Sequence, residues 1–189
     1  MSASRIVMLG APGAGKGTQA TQLAARIHGA HVSTGDMLRA AVEAGSEVGK
    51  RARAVMEAGQ LVSDGIVIAI AEERLAEPDA QQGFVLDGFP RTLEQAEALA
   101  IMLKDLKAPL DVCLALTVEV DEVVGRMLRR AELEGRADDN EEAIRERMRV
   151  YEEQTAPLLG FYQDKDLLVT VDGMGTVDEV AARIEEAVL

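Results

Sequence analysis

The sequence predicts an α/β fold in which a parallel β-sheet is covered on both faces by helices. Three observations predict it. Short apolar runs with strand character alternate with longer segments in which apolar residues recur at helical spacing. Helical segments separate the strand runs, and such segments are the connections that parallel strands need. A glycine-rich turn also stands between the first strand and the first helix, where open α/β sheets often carry such a turn.

The elements follow in order along the chain. Five runs predict strands, at residues 5–9, 31–32, 84–86, 112–118 and 167–171. Helical segments lie between them, at residues 16–28, 36–43, 47–58, 64–76, 92–105, 120–130 and 140–158. Apolar residues in 177–188 form an i, i+3, i+4, i+7 stripe, which predicts a last helix packed on the sheet. With 189 residues, the chain is long enough for one domain with a substantial core.

Two segments interrupt the alternation of strands and helices. Residues 33–62 hold helical patterns without a strand, and residues 129–139 are polar and end at a helix start. Asp139 and Glu142 stand three residues apart, as the two members of a capping box do. Both segments could be plain surface connections, but the arginines that they carry favour flaps that close on a substrate.

Composition narrows the class of protein. The net charge of −13 disfavours binding to nucleic acid or to an anionic membrane, and no run approaches the roughly 18 apolar residues of a membrane span. Cys113, the single cysteine, lies in an apolar run, which predicts a core thiol and excludes a disulfide framework or a four-cysteine zinc site. The first residues lead directly into a strand, so we expect no secretory leader and a protein of the reducing cytoplasm.

The glycine-rich turn reads Gly-Ala-Pro-Gly-Ala-Gly-Lys-Gly-Thr at residues 10–18. Its glycines let successive backbone N–H groups point inward, and Lys16 adds a positive charge at a helix start. The spacing G-x-x-x-x-G-K is complete, but Gly17 follows the lysine where a hydroxyl residue is usual, and the hydroxyl comes at Thr18. A flexible glycine turn is the alternative interpretation. The strand before the turn and the helix after it favour a loop that binds a polyphosphate.

An acidic residue follows the third predicted strand. Asp87 stands directly after the run 84–86, at the sheet edge where the phosphate loop is expected and where proteins hold Mg²⁺, usually through waters. A lone aspartate at a strand end is more often a helix cap. The phosphate loop reverses that preference and favours a magnesium site made by Asp87 and the hydroxyl of Thr18.

Four ordered motifs carry a resemblance to a known family. They are residues 10–18, Ser-Thr-Gly-Asp-Met-Leu-Arg at 33–39, Leu-Asp-Gly-Phe-Pro-Arg-Thr at 86–92 with Gln95, and Gly-Arg-Ala-Asp-Asp-Asn at 135–140. With them the chain resembles the adenylate kinases, which are nucleoside monophosphate kinases, over nearly its whole length. The displaced hydroxyl at Thr18 is that family's form of the phosphate loop.

The resemblance implies a fold and its subdivisions. The fold would be the P-loop NTPase three-layer fold with a five-stranded parallel sheet. We expect a single domain whose core is formed by residues 1–32, 63–128 and 140–189. A helical NMP-binding insertion would occupy residues 33–62, and a short lid would occupy residues 129–139.

The resemblance also implies roles for matching residues. For ATP they are Gly13, Ala14, Gly15, Lys16, Gly17, Thr18, Arg126, Arg130 and Gly175. For AMP they are Thr34, Arg39, Gln60, Leu61, Val62, Gly88, Phe89, Pro90, Arg91, Gln95, Arg136 and Arg147. Arg39 and Arg91 would grip the AMP phosphate, and Gln95 would read the adenine. Catalytic roles are implied for Lys16, Arg91, Arg126, Arg136 and Arg147.

The activity that the resemblance implies is reversible, Mg²⁺-dependent transfer of the terminal phosphoryl group from ATP to AMP, which gives two ADP and serves adenine nucleotide homeostasis. We expect ATP, AMP and ADP as partners, no nucleic acid, no membrane, and a cytoplasmic monomer. Family members with a long lid often carry a four-cysteine zinc site. The stretch between Arg130 and Arg136 is too short for one, so we expect no zinc.

Other functions stay open at this point. A kinase for UMP, CMP or another nucleoside monophosphate would share the scaffold, although Thr34 and Gln95 favour adenine. A phosphate-loop protein of another class would be a GTPase-type switch, an assembly factor or an inactive interaction protein. The guanine-reading Asn-Lys-x-Asp is absent, and the intact Lys16, Asp87 and arginine set disfavours an inactive protein.

Overall fold

The computed structural model describes residues 3–134 and 140–189, with the backbone alone at residues 120, 121 and 130–134. This part of the chain contains five strands: β1 Arg5–Gly10, β2 Ala30–Ser33, β3 Phe84–Asp87, β4 Val112–Thr117 and β5 Leu168–Asp172. All are parallel, and they form one sheet in the order β2-β3-β1-β4-β5. The predicted α/β class and five-stranded parallel sheet are confirmed.

Helices connect the strands throughout the described residues. They are α1 Lys16–Arg26, α2 Thr34–Glu43, α3 Glu47–Glu57, α4 Asp64–Leu75, α5 Pro78–Gln82, α6 Leu93–Asp105, α7 Val120–Glu134, α8 Glu141–Val150, a π-helical turn Tyr151–Thr155, α9 Pro157–Gln163 and α10 Val177–Val188. None of the helices described here has both the length and the apolar content that a bilayer crossing requires.

The sheet is buried on both faces, which makes the fold three-layered. Successive strand residues point to opposite faces. Ile6 and Met8 of β1 pack in a cluster that includes the apolar residues of α1 and α10. Val7 and Leu9 pack on the other face, in a cluster that includes α4, α6 and α9. Because both faces need apolar side chains, the inner strands β1, β3 and β4 contain continuous apolar runs rather than alternating patterns.

Residues 34–57 form α2 and α3 and lie outside the sheet, as the sequence predicts. Ser46 caps α3, since its side chain accepts a hydrogen bond from Gly49 N at 3.0 Å. A Cβ on Gly49 would lie only 1.9 Å from the carbonyl oxygen of Ala41. The two helices therefore touch through their backbones, and the excursion is a packed helical pair.

The single helix predicted over residues 140–158 is wrong. Instead α8 ends at Val150, a π-helical turn follows, and α9 begins at Pro157. Proline has no N–H to donate, so it fits the first turn of a new helix and not a helix interior. The buried residues Val150 and Thr155 are five positions apart, which suits a π turn rather than an α-helix.

The capping box predicted at Asp139 and Glu142 is not tested by the described residues, which show a different residue at the cap of α8. The cap of α8 is Asn140, whose side chain accepts a hydrogen bond from a backbone N–H of the first turn at 3.0 Å. Asp139 itself lies outside the described residues. A capping box is present at α10, where Thr176 and Glu179 satisfy each other's backbone N–H groups.

The thiol of Cys113 is buried in β4, and burial raises its pKa. Because the thiolate is the reactive form, we expect the native protein to react only slowly with an aromatic disulfide reagent. After unfolding in urea, the single cysteine should react and release one equivalent of chromophore from the reagent. Absorbance measures both states. Rapid labelling of the native protein would contradict the buried position.

Candidate active site

The glycine-rich loop lies at the carboxyl edge of the sheet. The loop follows β1, and Met8 of β1 pairs with Asp87 of β3, so the loop and this carboxylate share one edge. Gly15 caps α1 with φ of +91°, a left-handed conformation that favours glycine. A Cβ placed there would meet no described atom within 4 Å, which leaves room for a ligand to approach the backbone.

Lys16 is the first residue of α1, and its side chain turns back across the loop. Its Nζ donates hydrogen bonds to the carbonyl oxygens of Gly10, at 2.7 Å, and Ala11, at 2.9 Å. The ammonium is thereby held beside the N-terminus of α1, whose backbone N–H groups carry partial positive charge. Together these groups form a site for a polyphosphate.

A cavity of about 550 Å³ opens at the loop, a volume within the usual range of small-molecule sites. The consecutive residues 12–19 form part of its wall. Arg126 and Gly175, which the sequence analysis assigns to ATP, line it as well. The guanidinium of Arg126 donates to the carbonyl oxygen of Gly173 at 3.3 Å, which ties α7 to the segment before α10.

Arg129 also lines this cavity; the sequence places it in the predicted lid, but it was not among the residues assigned to ATP. It stands three residues after Arg126 on α7, and residues at that spacing share a helix face. That spacing is the signal that could have found it. The side chain of Arg130 and the whole of Arg136 lie outside the described residues, as do residues 135–139 of the predicted lid.

A second, narrower cavity of about 60 Å³ adjoins the first. Most of the residues assigned to AMP line it: Thr34, Arg39, Gln60, Leu61, Val62, Gly88, Arg91, Gln95 and Arg147. Leu38, Met56 and Val67 add an apolar wall that the sequence analysis did not assign. Helical periodicity alone does not distinguish such positions from core. An apolar wall with a few convergent polar groups is typical of a small-molecule site.

Two members of the assigned AMP set lie elsewhere. The side chain of Phe89 is fully buried in the core cluster that includes α4 and α6. It anchors the segment after β3 and does not line the narrow cavity. Pro90 follows it through a cis peptide bond and lines a third small cavity together with Arg91 and Arg147.

The large and the narrow cavity of the site are joined by shared walls. Five residues line both cavities: Gly35, Arg39, Gly88, Arg91 and Arg147. The three arginines come from α2, from the segment after β3 and from α8. Anionic groups entering from the two cavities would therefore meet among the same three cations.

Gly88 positions two of the assigned side chains. Its carbonyl oxygen accepts hydrogen bonds from Thr34 Oγ1 at 2.9 Å and from Arg91 Nε at 2.8 Å. Its φ is +78°, and a Cβ there would lie 2.9 Å from Arg91 Nη2. Glycine tolerates both the left-handed backbone and this close approach, so the side chains can converge on one carbonyl.

Asp87 lines the large cavity, and its side chain is mostly buried. His31 Nε2 lies 3.8 Å from its Oδ2. Burial alone would raise the pKa of Asp87, but His31 and the charges of Lys16 and Arg91 outweigh burial, so the pKa lies below its ordinary value. The carboxylate is therefore ionised at neutral pH.

The lowered pKa of Asp87 predicts how stability depends on pH. A carboxyl group of this kind stabilises the fold above its unfolded-state pKa of about 3.9, and the contribution is lost as pH falls through the lower folded-state pKa. Below about pH 4, the free energy of unfolding should fall more steeply in the wild type than in Asp87→Asn. Urea titrations across this range measure the slopes, and parallel slopes would contradict the assignment.

The charge around the large cavity is opposite in sign to that of the chain. Among the described residues, its basic side chains are Lys16, Arg39, Arg91, Arg126, Arg129 and Arg147, and its acidic ones are Asp36, Asp87 and Glu122. The chain as a whole has 20 basic and 33 acidic residues. A concentrated positive wall in an acidic protein attracts polyanionic ligands into one place.

The parallel sheet, the loop on its carboxyl edge and the two arginine-joined cavities define a phosphate-loop nucleotide-binding protein of the α/β class. Comparison with known proteins narrows this class. The family model described as adenylate kinase matches residues 8–167.

Relatives match along nearly their whole length. An adenylate kinase of Thermobifida fusca (strain YX) is 53% identical over 179 residues, covering 95% of each chain. One from Chelativorans sp. (strain BNC1) is 52% identical over 187 residues, 96% of each chain. One from Stenotrophomonas maltophilia (strain K279a) is 50% identical over 184 residues, 97% of this chain and 98% of the relative. The chain belongs to the adenylate kinase family.

Proposed function

We propose that the protein transfers the terminal phosphoryl group of ATP to AMP, reversibly and with Mg²⁺, giving two ADP and maintaining the adenine nucleotide pool. The observation that carries this proposal is the junction of the two cavities at Arg39, Arg91 and Arg147. A triphosphate on the loop at residues 10–18 and a monophosphate from the narrow cavity would meet there. The relatives named adenylate kinase support the same reaction.

The proposed reaction needs no general base. The second pKa of a phosphate monoester is about 6, so the attacking oxygen of AMP is already ionised near neutral pH. The barrier lies in bringing two polyanions together in line, and positioned cations lower it. Lys16 and Arg126 would hold the phosphates of ATP, while Arg136 and Arg147 would reach the phosphoryl group in transfer.

The residues beside the loop fit Mg²⁺ held together with substrate phosphates. Within the described residues, no group of three or more His, Cys, Asp or Glu side chains is placed to hold a metal ion. Mg²⁺ is commonly held by one or two carboxylates, waters and phosphate oxygens, and Asp87 with the hydroxyl of Thr18 would supply the protein part of such a set. When bound, the ion would neutralise charge on the phosphates.

We infer that two segments close over the substrates. Residues 33–62 would close over AMP, and residues 129–139 would close over ATP, on a core formed by residues 1–32, 63–128 and 140–189. The position of α2 and α3 outside the sheet supports the first of these. Closure would exclude water, which is the competing acceptor.

We also infer that the protein acts as a cytoplasmic monomer. Residues of one chain line both cavities, so a complete site does not need a second copy. Light scattering of the purified protein should give a molar mass near 20.2 kDa. A mass twice as large would contradict the monomer.

An acceptor panel tests the proposed function. Purified protein with Mg·ATP receives AMP, UMP or CMP in separate reactions, and chromatography measures the diphosphates formed. We expect AMP to be by far the best acceptor. Equal rates with the three nucleotides would refute the adenine assignment, and no product with any of them would refute phosphotransfer.

A further inference from the structure

The side chain of Gln95 is held by two protein groups of opposite hydrogen-bonding character. It is 1% exposed and lines the narrow cavity. Its Oε1 accepts a hydrogen bond from Arg91 N at 2.7 Å, and its Nε2 donates to Asp64 Oδ1 at 2.6 Å. These two bonds use one lone pair of Oε1 and one hydrogen of Nε2. One lone pair and one hydrogen of the amide are left for a ligand.

Asp64 is the first residue of α4, and it reaches across to the start of α6. The same Oδ1 accepts a second hydrogen bond, from Thr92 Oγ1 at 3.0 Å. Thr92 caps α6, and its Oγ1 accepts from Gln95 N at 3.2 Å. The carboxylate therefore fixes both the cap of α6 and the side chain that extends from its first turn.

The polarity of these partners permits one orientation of the amide. An ionised carboxylate only accepts hydrogen bonds, and a backbone N–H only donates them. If the Gln95 amide rotated by half a turn, its oxygen would face the oxygen of Asp64 and its N–H group would face the N–H of Arg91. Two favourable contacts would become two repulsive ones, with polar groups buried and unpaired.

We propose that Asp64 is a positioning residue that sets the base specificity of the acceptor site. It fixes the amide of Gln95 so that Oε1, an acceptor, and Nε2, a donor, always face the cavity in the same positions. This inference rests on the proposed role of Gln95 in reading the AMP base. The order suits a 6-aminopurine, whose amino group donates while the adjacent ring nitrogen accepts, and glutamine pairs with adenine through such an edge.

A 6-oxopurine would be rejected by the same arrangement. In hypoxanthine the group at position 6 is a carbonyl that accepts, so it would need Gln95 in the opposite orientation. With Asp64 in place, Gln95 cannot turn without losing both of its protein partners. A correct bidentate pair to a base discriminates by about 1–3 kcal/mol, which corresponds to roughly 5-fold to 150-fold in kcat/KM.

The test compares AMP with inosine monophosphate in the full-length enzyme with Mg·ATP. In Asp64→Asn the new side chain can offer either an oxygen or an N–H group to Gln95, so it no longer enforces one orientation of the amide, and Arg91 N alone is left to hold it. The ratio of kcat/KM for AMP to that for inosine monophosphate should fall by about 10-fold or more, mainly through a higher KM for AMP. Asp64→Ala, which removes the acceptor, tests the same point if Asp64→Asn does not fold.

Two controls separate positioning from a structural role. Asp111→Asn alters a carboxylate that accepts from Ser4 N and Arg5 N at 2.8 Å each, in a different part of the chain, and it should leave the ratio unchanged. Thr92→Val removes the cap of α6 but keeps the bond between Asp64 and Gln95. It should lower the melting temperature with the ratio within about 3-fold of wild type.

An unchanged ratio in a folded Asp64 variant, with wild type still preferring AMP, would overturn the role of Asp64 and leave the proposed function standing. A wild type that uses inosine monophosphate as well as AMP would overturn the adenine assignment itself. A fall in both kcat/KM values by the same factor would show a structural role alone and would also overturn the proposal.

Discussion

Replacing Lys16 with methionine should lower kcat by about 10³-fold, a loss comparable with that of a cation on a phosphoryl transition state. The ammonium is held across the loop by the carbonyl oxygens of Gly10 and Ala11, so it is already in place when the triphosphate binds. Methionine keeps most of the length of the unbranched side chain and removes its charge. Initial rates of ADP formation from AMP and Mg·ATP measure the effect.

The fold should survive this substitution. The variant loses two hydrogen bonds to loop carbonyls, so the free energy of unfolding should change by about 1–3 kcal/mol, and the far-ultraviolet dichroism should be that of wild type. Lys104→Met, an exposed lysine on α6, is the matched control and should keep full activity. Near wild-type turnover in a folded Lys16→Met would remove the lysine from the mechanism.

Arg91→Ala should lower kcat/KM for AMP by about 10²-fold or more, because hydrogen bonds between charged groups contribute about 1.5–3 kcal/mol each and a guanidinium makes two to one phosphate. The side chain is held for this task by Gly88 O at 2.8 Å. Its backbone is held as well, since the carbonyl oxygen of Arg91 accepts from Thr155 Oγ1 at 2.9 Å.

The effect of Arg91→Ala should be confined to the acceptor side. Calorimetric titration with a non-hydrolysable ATP analogue should give a dissociation constant within about 3-fold of wild type, a free-energy change under 1 kcal/mol. Arg145→Ala, which removes an exposed arginine paired with Glu141 on α8, should change neither constant. A variant that loses affinity for ATP and keeps its KM for AMP would mean that the two sites are exchanged.

The strands could be predicted from the sequence because a sheet buried on both faces leaves unbroken apolar runs. Such a run does not mark its own ends, and so β4 ends at Thr117 rather than at 118. The π-helical turn at Tyr151–Thr155 could not be predicted in the same way. Apolar residues recur at helical spacing on both sides of this turn. The residue that indicates the break is Pro157, and the periodicity of apolar residues does not detect it.

The phosphate loop could be predicted because its chemistry is local. Glycines, a lysine and a helix start stand within nine consecutive residues, 10–18, and their spacing carries the geometry. The narrow cavity is different, because its walls come from α2, α3, α4, α6 and α8 and from segments between them. The residues predicted to form this cavity were assigned from the resemblance to the adenylate kinases. Its apolar members Leu38, Met56 and Val67 cannot be distinguished from core residues in the sequence.

Asp64 shows why such contacts escape sequence reasoning. An acidic residue in the first turn of a helix is common, because it interacts favourably with the partial charge of that end. Nothing local connects it with Gln95, which is 31 residues away. The connection is made by the packing of α4 beside α6, and it becomes visible only when the hydrogen bonds of the buried amide are counted.

In the proposed reaction a phosphoryl group passes directly between nucleotides held in two joined cavities. The most direct measurement uses ATP labelled with ³²P in its terminal phosphate, incubated with AMP, Mg²⁺ and the protein, and follows the label by chromatography. We predict that the label appears in the β-phosphate of ADP, that two ADP form for each ATP consumed, and that neither occurs when AMP is omitted. Label released as inorganic phosphate, with or without AMP, would contradict the account.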